Sequence, residues 1–133
     1  MAIYHQHQVV RLTAATDLSG SEGCFVTVNG SAGTVSPATA SSTPAQVFGL
    51  LADAGAAGAP VDVVLPGYAG IVGVRLHSGT SAVVPGDRLS VAANGQVTKA
   101  GASGTLVAVA LAAGSAGQMI EARLVEPVAL AAS

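Results

Sequence analysis

The pattern of hydrophobic and polar positions along this chain is that of a β protein. Short runs rich in Val and other β-branched residues occur at residues 8–13, 24–28, 61–65, 70–76 and 88–91. Such runs, bounded by Gly, Pro, Asn and Ser, are typical of strands. The sequence therefore predicts a chain of many short strands with few or no helices.

Four dipeptides between these runs predict turns. Asn29-Gly30 and Asn94-Gly95 each separate two short runs, and Asn-Gly readily takes the positive φ angles of a type I′ hairpin turn. Pro66-Gly67 and Pro85-Gly86 are also turn pairs. Asp87 follows the second of them directly, so we expect its carboxylate to accept a backbone N–H within that turn.

An internal repeat supports assigning strands to two ambiguous runs. Residues 48–54 and 106–113 are rich in Ala and Leu, but both are short and are followed by Gly. Residues 48–65 align without gaps on residues 107–124, and the alignment places Asp62 on Glu121. A duplication explains this match, although an Ala/Gly-rich sequence can also produce one by chance. Two such units would pack as one small β-sandwich or barrel.

The expected organisation is one β domain with two flanking segments. Residues 1–15 form either an extended N-terminal arm or the first strand, and residues 16–127 form a single β domain containing the repeat at about 24–65 and 89–124. Residues 128–133 are a tail that we expect to be poorly ordered unless a neighbour holds it. Residues 36–44, rich in Ser, Thr, Ala and Pro, are either a contact loop or a mobile surface loop.

The composition favours a protein that associates with other protein. Of 133 residues, 50% are hydrophobic but only 3% are aromatic and 9% charged. A core of small side chains buries little area, and few charges leave a surface poorly suited to stand alone in water. The five cations are scattered and the net charge is −2, which argues against nucleic acid as a partner. The longest uncharged apolar stretch, residues 105–120, is too short and Gly-rich for a membrane span, and we expect no signal peptide.

Candidate catalytic and metal-binding residues are sparse. His5 and His7 would share one face of a strand, but a metal site would also need His77 or Glu22 to arrive through the fold. A Ser/His/Asp triad would have to use His77 and Asp87, and no nucleophile motif accompanies them. We therefore expect no enzyme activity, no catalytic or metal-ligating residues and no cofactor. The lone cysteine, Cys24, is expected to be a small buried apolar residue.

The order of these motifs resembles that of the small capsid decoration, or cement, proteins of tailed phages. The similarity runs from about Val47 onward and is looser before it. One departure is Ala108 in the second copy, where the first copy has Gly49. The matching segments are residues 47–50, 61–65, 66–68, 84–89, 95–98, 106–111 and 117–124.

The resemblance implies a compact β domain, commonly a homotrimer, made in the host cytoplasm. It would bind the outer surface of the virion head and stabilise it by bridging subunits of the major coat protein. Alternatives are another virion module, in the tail, a fibre or a coat insertion domain, or a small-ligand- or metal-binding β domain. The candidate interface with coat protein or another subunit, which could equally be a plain first strand, is Ala2, Ile3, Tyr4, His5, Gln6, His7, Gln8, Val9, Val10, Arg11 and Leu12.

Overall fold

The fold is all β, as predicted, and consists of two similar five-stranded units. The computed structural model describes residues 9–30, 33–66, 68 and 70–130. A short 3-10 turn at Ala93–Gly95 is the helical element of this part of the chain. The strands are β1 (Val9–Ala14), β2 (Phe25–Asn29), β3 (Thr34–Pro37), β4 (Val47–Asp53), β5 (Pro60–Val64), β6 (Ile71–Arg75), β7 (Arg88–Val91), β8 (Val97–Lys99), β9 (Gly104–Ala110) and β10 (Met119–Leu130).

The first unit, β1 to β5, is a closed barrel. Its strand order is β1-β3-β2-β4-β5, and β1 closes the barrel by pairing antiparallel with β5 and parallel with β3. Closure leaves no open sheet edge in this unit. The interior is filled by small and medium apolar side chains: Ala14, Leu18, Val26, Val35, Leu51, Val61 and Val63.

The second unit, β6 to β10, repeats this topology with a weaker closure. Its sheet has the order β6-β10-β9-β7-β8. The two outer strands meet through an isolated parallel bridge between Leu76 and Val97. The corresponding contact in the first unit is the ladder of β1 and β3, which includes the pair Ala14 and Val35.

The pairing registers of the two units coincide. In the first unit Phe25 pairs with Leu50, and the β2–β4 ladder then shifts register after Val26. In the second unit Arg88 pairs with Val109, and the β7–β9 ladder shifts after Leu89. The equal position of the bulge means that the paired residues of these strands have equivalents in the other unit.

Equivalent interior positions exchange large and small residues. Ala14 of the first barrel corresponds to Leu76 of the second unit, while Leu51 corresponds to Ala110. All four side chains are buried. A core tolerates such exchanges when the total volume is kept, because packing density is what the interior requires.

One hydrophobic cluster joins the two units. Phe25, Val47, Leu50 and Val64 of the first unit belong to the same buried cluster as the interior residues of the second unit. Phe25, for example, is 2% exposed. Since alternate residues of a strand point to opposite faces, these side chains lie on the outside of the first barrel and are covered by the second unit.

Two of the predicted turns, at Asn94-Gly95 and Pro85-Gly86, have the expected conformation in the structure. Asn94 and Gly95 both have positive φ, at 59° and 74°, as an Asn-Gly turn requires. Gly86 has φ 93°, and the Asp87 carboxylate accepts the N–H of Val84 at 2.9 Å, which confirms the structural role predicted for Asp87.

The first hairpin turn lies later in the chain than predicted. Asn29 is the last residue of β2 and pairs with Thr34, and the positive φ of the described loop residues, 67°, belongs to Gly33. The loop is therefore longer than a two-residue turn, because Asn29 takes an extended conformation to complete its pair with Thr34.

The two ambiguous Ala/Leu runs are strands, as predicted, although β9 ends at Ala110. Both ends of the predicted domain carry strand pairing. β1 includes residues 9–14 of the segment described as an arm or first strand. At the other end, Val128 pairs with Leu106 and Leu130 with Gly104, which holds the start of the predicted tail in the sheet.

Candidate functional site

The predicted interface residues divide into two groups. Ala2, Ile3, Tyr4, His5, Gln6, His7 and Gln8 lie outside the described residues. Val9, Val10, Arg11 and Leu12 form β1. Val10 and Leu12 are half-buried and pack against the core of the first barrel, whereas Val9 is 44% exposed.

Arg11 makes a contact within the first barrel. Its Nε donates to Oδ1 of Asp62 at 3.1 Å, between paired residues of β1 and β5. The hydrogen bond and the charge of Asp62 raise the pKa of the Arg11 guanidinium. An exposed pair of this kind contributes little to stability, so Arg11 is a cross-strand contact with no sign of a binding role.

The residues considered for metal binding or catalysis are engaged in local turns. Nδ1 of His77 accepts the N–H of Gly79 at 3.0 Å, and Oδ2 of Asp87 lies 3.6 Å from Nζ of Lys99. In the described part of the chain, no three His, Cys, Asp or Glu side chains are grouped as metal ligands would be. His5 and His7 lie outside that part.

Cys24 is buried, as predicted. It is 4% exposed, and burial is the main cause that raises the pKa of its thiol. A thiol held in its protonated form is a poor nucleophile. Cys24 therefore acts as a small apolar residue of the first unit.

An apolar groove lies between the two units, and we call it the inter-unit groove. Its volume is about 350 Å³. Val9 and Ile71, which begin β1 and β6 at equivalent positions, lie on it together with Met119, and all three are exposed. The full lining is Val9, Glu22, Gly23, Leu50, Leu51, Ala52, Val64, Tyr68, Ile71, Val72, Gly73 and Met119.

A second groove, which we call the hydroxyl groove, lies on the first unit. Its volume is about 630 Å³. It is formed by β2, β3, the start of β4 and the loop of residues 38–46 between β3 and β4. Within the part of the chain that the structure describes, no ionisable side chain lines it. The lining residues are Thr27, Val28, Asn29, Pro37, Thr39, Ser41, Ser42, Ala45, Gln46 and Phe48.

The loop beside the hydroxyl groove is held by side-chain hydrogen bonds. Oγ of Ser42 accepts the N–H of Thr39 at 3.0 Å, and Oε1 of Gln46 accepts the N–H of Thr43 at 2.8 Å. From the second unit, the buried hydroxyl of Thr105 donates to the carbonyl oxygen of Ser42 at 2.7 Å. This loop is therefore braced at both ends rather than free at the surface.

Sequence reasoning found one of these grooves in part and missed the other. The Ser/Thr-rich segment 36–44 was identified as a possible contact loop, because its composition and length are visible locally. The inter-unit groove has no local signal, since Val9, Ile71 and Met119 are distant in the chain. The predicted repeat, at about 24–65 and 89–124, contains neither Val9 nor Ile71, and only strand pairing in the structure makes these two residues equivalent.

Comparisons with known proteins gave no match that bears on function. No protein-family model matches it, and no curated protein is significantly similar to it. In the residues that the structure describes, no helix is long and apolar enough to span a membrane.

Proposed function

We propose that this protein is a structural decoration protein of a phage head, and that it binds coat protein through the inter-unit groove. The observation that carries the proposal is the clustering of exposed large apolar side chains at this groove. Ile71 is 62% exposed and Met119 is 42% exposed, and both lie beside Val9 on its lining. Contiguous exposed apolar surface marks protein interaction sites.

The chemistry of the groove suits a protein partner. Tyr68 supplies an aromatic ring and Met119 an adaptable thioether, and both residue types are enriched at protein interfaces. Glu22 is the single ionisable carboxylate of the lining. A largely uncharged groove gains from burial against another apolar surface, because little charge has to be desolvated.

The predicted interface with coat protein includes a residue of this groove. Val9 belongs to that interface and lines the groove. The resemblance to cement proteins supports the same partner, and many weak contacts of this kind add up on a repeating lattice.

Co-sedimentation with phage heads that lack the protein tests the proposal. Replacing Ile71 with Asp introduces a charge into the groove and should weaken binding at least about tenfold. Val84 is a matched control, because it is 53% exposed and does not line the groove. V84D should bind as the unchanged protein does, and both variants should keep the same circular dichroism spectrum.

Three results would contradict the proposal. The first is equal binding of I71D and V84D, and the second is equal heat stability of heads with and without the protein. The third is electron-microscopy density on the tail instead of the head, which would favour another virion module. Light scattering of the purified protein tests the expected homotrimer separately.

A further inference from the structure

The hydroxyl groove offers many uncharged hydrogen-bonding groups on one surface. Thr27, Thr39 and Ser41 contribute hydroxyls, and Asn29 and Gln46 contribute amides. Hydroxyls and amides both donate and accept hydrogen bonds, which matches the hydroxyl groups of a sugar. Among the described residues no ionisable side chain lines this groove, so none of them would neutralise a phosphate, a carboxylate or an ammonium group.

One aromatic ring adds an apolar surface to this polar groove. Phe48 lines the groove and is half-buried, packed on its other side against the core of the first barrel. A pyranose ring presents C–H groups on its face and hydroxyls around its rim. It can therefore stack on an aromatic ring while the surrounding amides and hydroxyls bind the rim.

The polar groups are positioned before any ligand arrives. Oε1 of Gln46 is held by the N–H of Thr43, and among the described residues no protein acceptor takes its Nε2 hydrogens. The bond from Thr105 to Ser42 fixes the loop from the second unit. Preorganised groups lose less conformational entropy when they bind, which favours recognition of a weakly binding neutral ligand.

In the second unit, the face equivalent to the hydroxyl groove is buried instead of open. Phe48 corresponds to Val107, which is 1% exposed, and the loop 38–46 corresponds to the shorter loop 100–103. Gly95 lies against the backbone of Phe25, whereas nothing lies within 4 Å of the Cβ position of its equivalent, Gly33. In the second unit this face packs against the first unit. In the first unit the equivalent face is open.

A second copy of the chain fits this open face poorly. The face of the first unit that covers the second carries Phe25 and Val64, but the equivalent residues of the second unit are Arg88 and Arg123. Both arginines are exposed, and the hydroxyl groove has no carboxylate to pair with them. Desolvating two unpaired cations would oppose such a contact.

We infer that the hydroxyl groove is a binding site for neutral saccharides, with Phe48 as the stacking ring and Gln46 as a hydrogen-bonding residue. This inference is independent of the proposed role on a phage head, because it concerns a different groove and different residues. The ligand can be a free oligosaccharide or a chain in a larger polysaccharide, since both present the same pyranose chemistry.

NMR titration of the full chain tests the inference. The probes are maltotriose, cellotriose and the N-acetylated trimer triacetylchitotriose, each added to ¹⁵N-labelled protein at millimolar concentrations. At least one of them should shift the backbone amides of residues 39–48, while the amides around Val9 and Ile71 stay in place. No shift with any of the three sugars would overturn the inference, as would shifts centred on the inter-unit groove.

Matched variants separate binding from folding. Gln46→Ala should weaken binding about threefold to tenfold, as expected for one lost hydrogen bond. Gln118→Ala is its control, because Oε1 of Gln118 accepts the N–H of Ser115 at the same 2.8 Å and with the same spacing, away from the groove. Equal affinity of the two variants would contradict the role of Gln46.

A third variant tests the stacking ring. Phe48→Leu keeps an apolar side chain against the barrel core but removes the aromatic face, and it should weaken binding about tenfold. Unchanged affinity in a folded F48L protein would contradict stacking.

Co-sedimentation with insoluble starch, cellulose and chitin then distinguishes the sources of the ligand. Retention on one of them assigns a polysaccharide, and binding of soluble sugars alone assigns a free oligosaccharide.

Discussion

The two units of this protein have the same strand register but use the same face in opposite ways. The outer face of β2, β4 and β5 carries Phe25 and Val64, which are buried in the cluster shared with the second unit. The equivalent face of the second unit carries Arg88 and Arg123, which are exposed. The difference teaches that a few outward positions decide how two equivalent units associate, since the interiors of both units are apolar.

The association is head to tail. One face of the first unit packs on a different face of the second, so each unit keeps one such face uncovered. Heterologous packing continues indefinitely if the uncovered faces are complementary. The exposed arginines on one face and the uncharged hydroxyl groove on the other are not complementary, and desolvating the arginines would oppose a repeat of the same contact.

Exchanging the residue types at the equivalent outward positions 25 and 88 should have the largest effect on the free energy of unfolding. Phe25→Arg places an unpaired charge where 2% of the side chain is exposed, and we expect a loss of more than about 4 kcal/mol in the free energy of unfolding. Urea denaturation followed by circular dichroism measures it. Arg88→Phe, at the equivalent exposed position, should change stability by less than about 0.5 kcal/mol.

Equal losses in F25R and R88F would show that the two faces are used alike, contrary to the packing seen here. If F25R does not fold, Phe25→Ala provides the comparison, with an expected loss of about 3 kcal/mol or more.

Replacing the equivalent turn glycines, Gly33 and Gly95, should give the next largest difference in stability between the two units. Gly33→Ala and Gly95→Ala both place a Cβ at positive φ, which costs about 1 kcal/mol. In addition, a Cβ at Gly95 would collide with the carbonyl oxygen of Phe25, whereas Gly33 has open space. We expect G95A to lose at least about 2 kcal/mol in urea denaturation, and a G33A loss as large as that of G95A would argue against contact at this turn.

Removing the hydroxyl of Thr105 should loosen the loop that distinguishes the first unit. Thr105→Val leaves the carbonyl oxygen of Ser42 without its buried donor, at a cost of about 1–2 kcal/mol in the free energy of unfolding. Hydrogen exchange of residues 39–46 should become faster. Thr105→Ser keeps the hydroxyl and should keep the slow exchange; equal exchange in both variants would contradict the bracing role.

The smallest expected effect is the contribution of one carboxyl group, that of Asp17, to the pH dependence of stability. Asp17, in the first unit, is hydrogen-bonded to Ser19, whose N–H lies 3.0 Å from Oδ1 of Asp17. Bonding by the Ser19 hydroxyl and, next in size, by the Ser19 N–H lowers the pKa of the Asp17 carboxyl. A carboxyl with a lowered folded pKa stabilises the protein above its unfolded pKa, and the contribution is lost as pH falls through the folded value. Asp17→Asn should therefore lose a small amount of stability at neutral pH and none at a pH well below the folded pKa of Asp17.

An NMR titration of the Asp17 carboxyl checks the direction of the shift. A midpoint at or above the ordinary value for aspartate would contradict it. The equivalent turn of the second unit contains His77 bonded to Gly79 instead, so the effect should be confined to the first unit.

Much of the secondary structure could be predicted because its causes are local. Runs of β-branched residues favour strands, and Asn94, Gly95 and Gly86 favour the positive φ that the structure shows. The first hairpin turn was placed too early, because the pairing of Asn29 with Thr34 extends β2 through the Asn-Gly pair. Local turn preference was overridden there by strand pairing.

The sequence by itself determined the all-β class, most strand positions and the burial of Cys24, since alternation and turn residues act over a few neighbours. It predicted a repeat at about 24–65 and 89–124, whereas the five-stranded units of the structure also include β1 and β6. Only the tertiary structure decided which outward face is covered and where the grooves lie. Phe25 and Arg88 occupy the same place in equivalent strands, and the partner that covers Phe25 lies in the other unit. The inter-unit groove likewise depends on residues that the docking of the units brings together, which no local pattern specifies, whereas the hydroxyl groove is lined by residues 27–48 and its loop has a local signal.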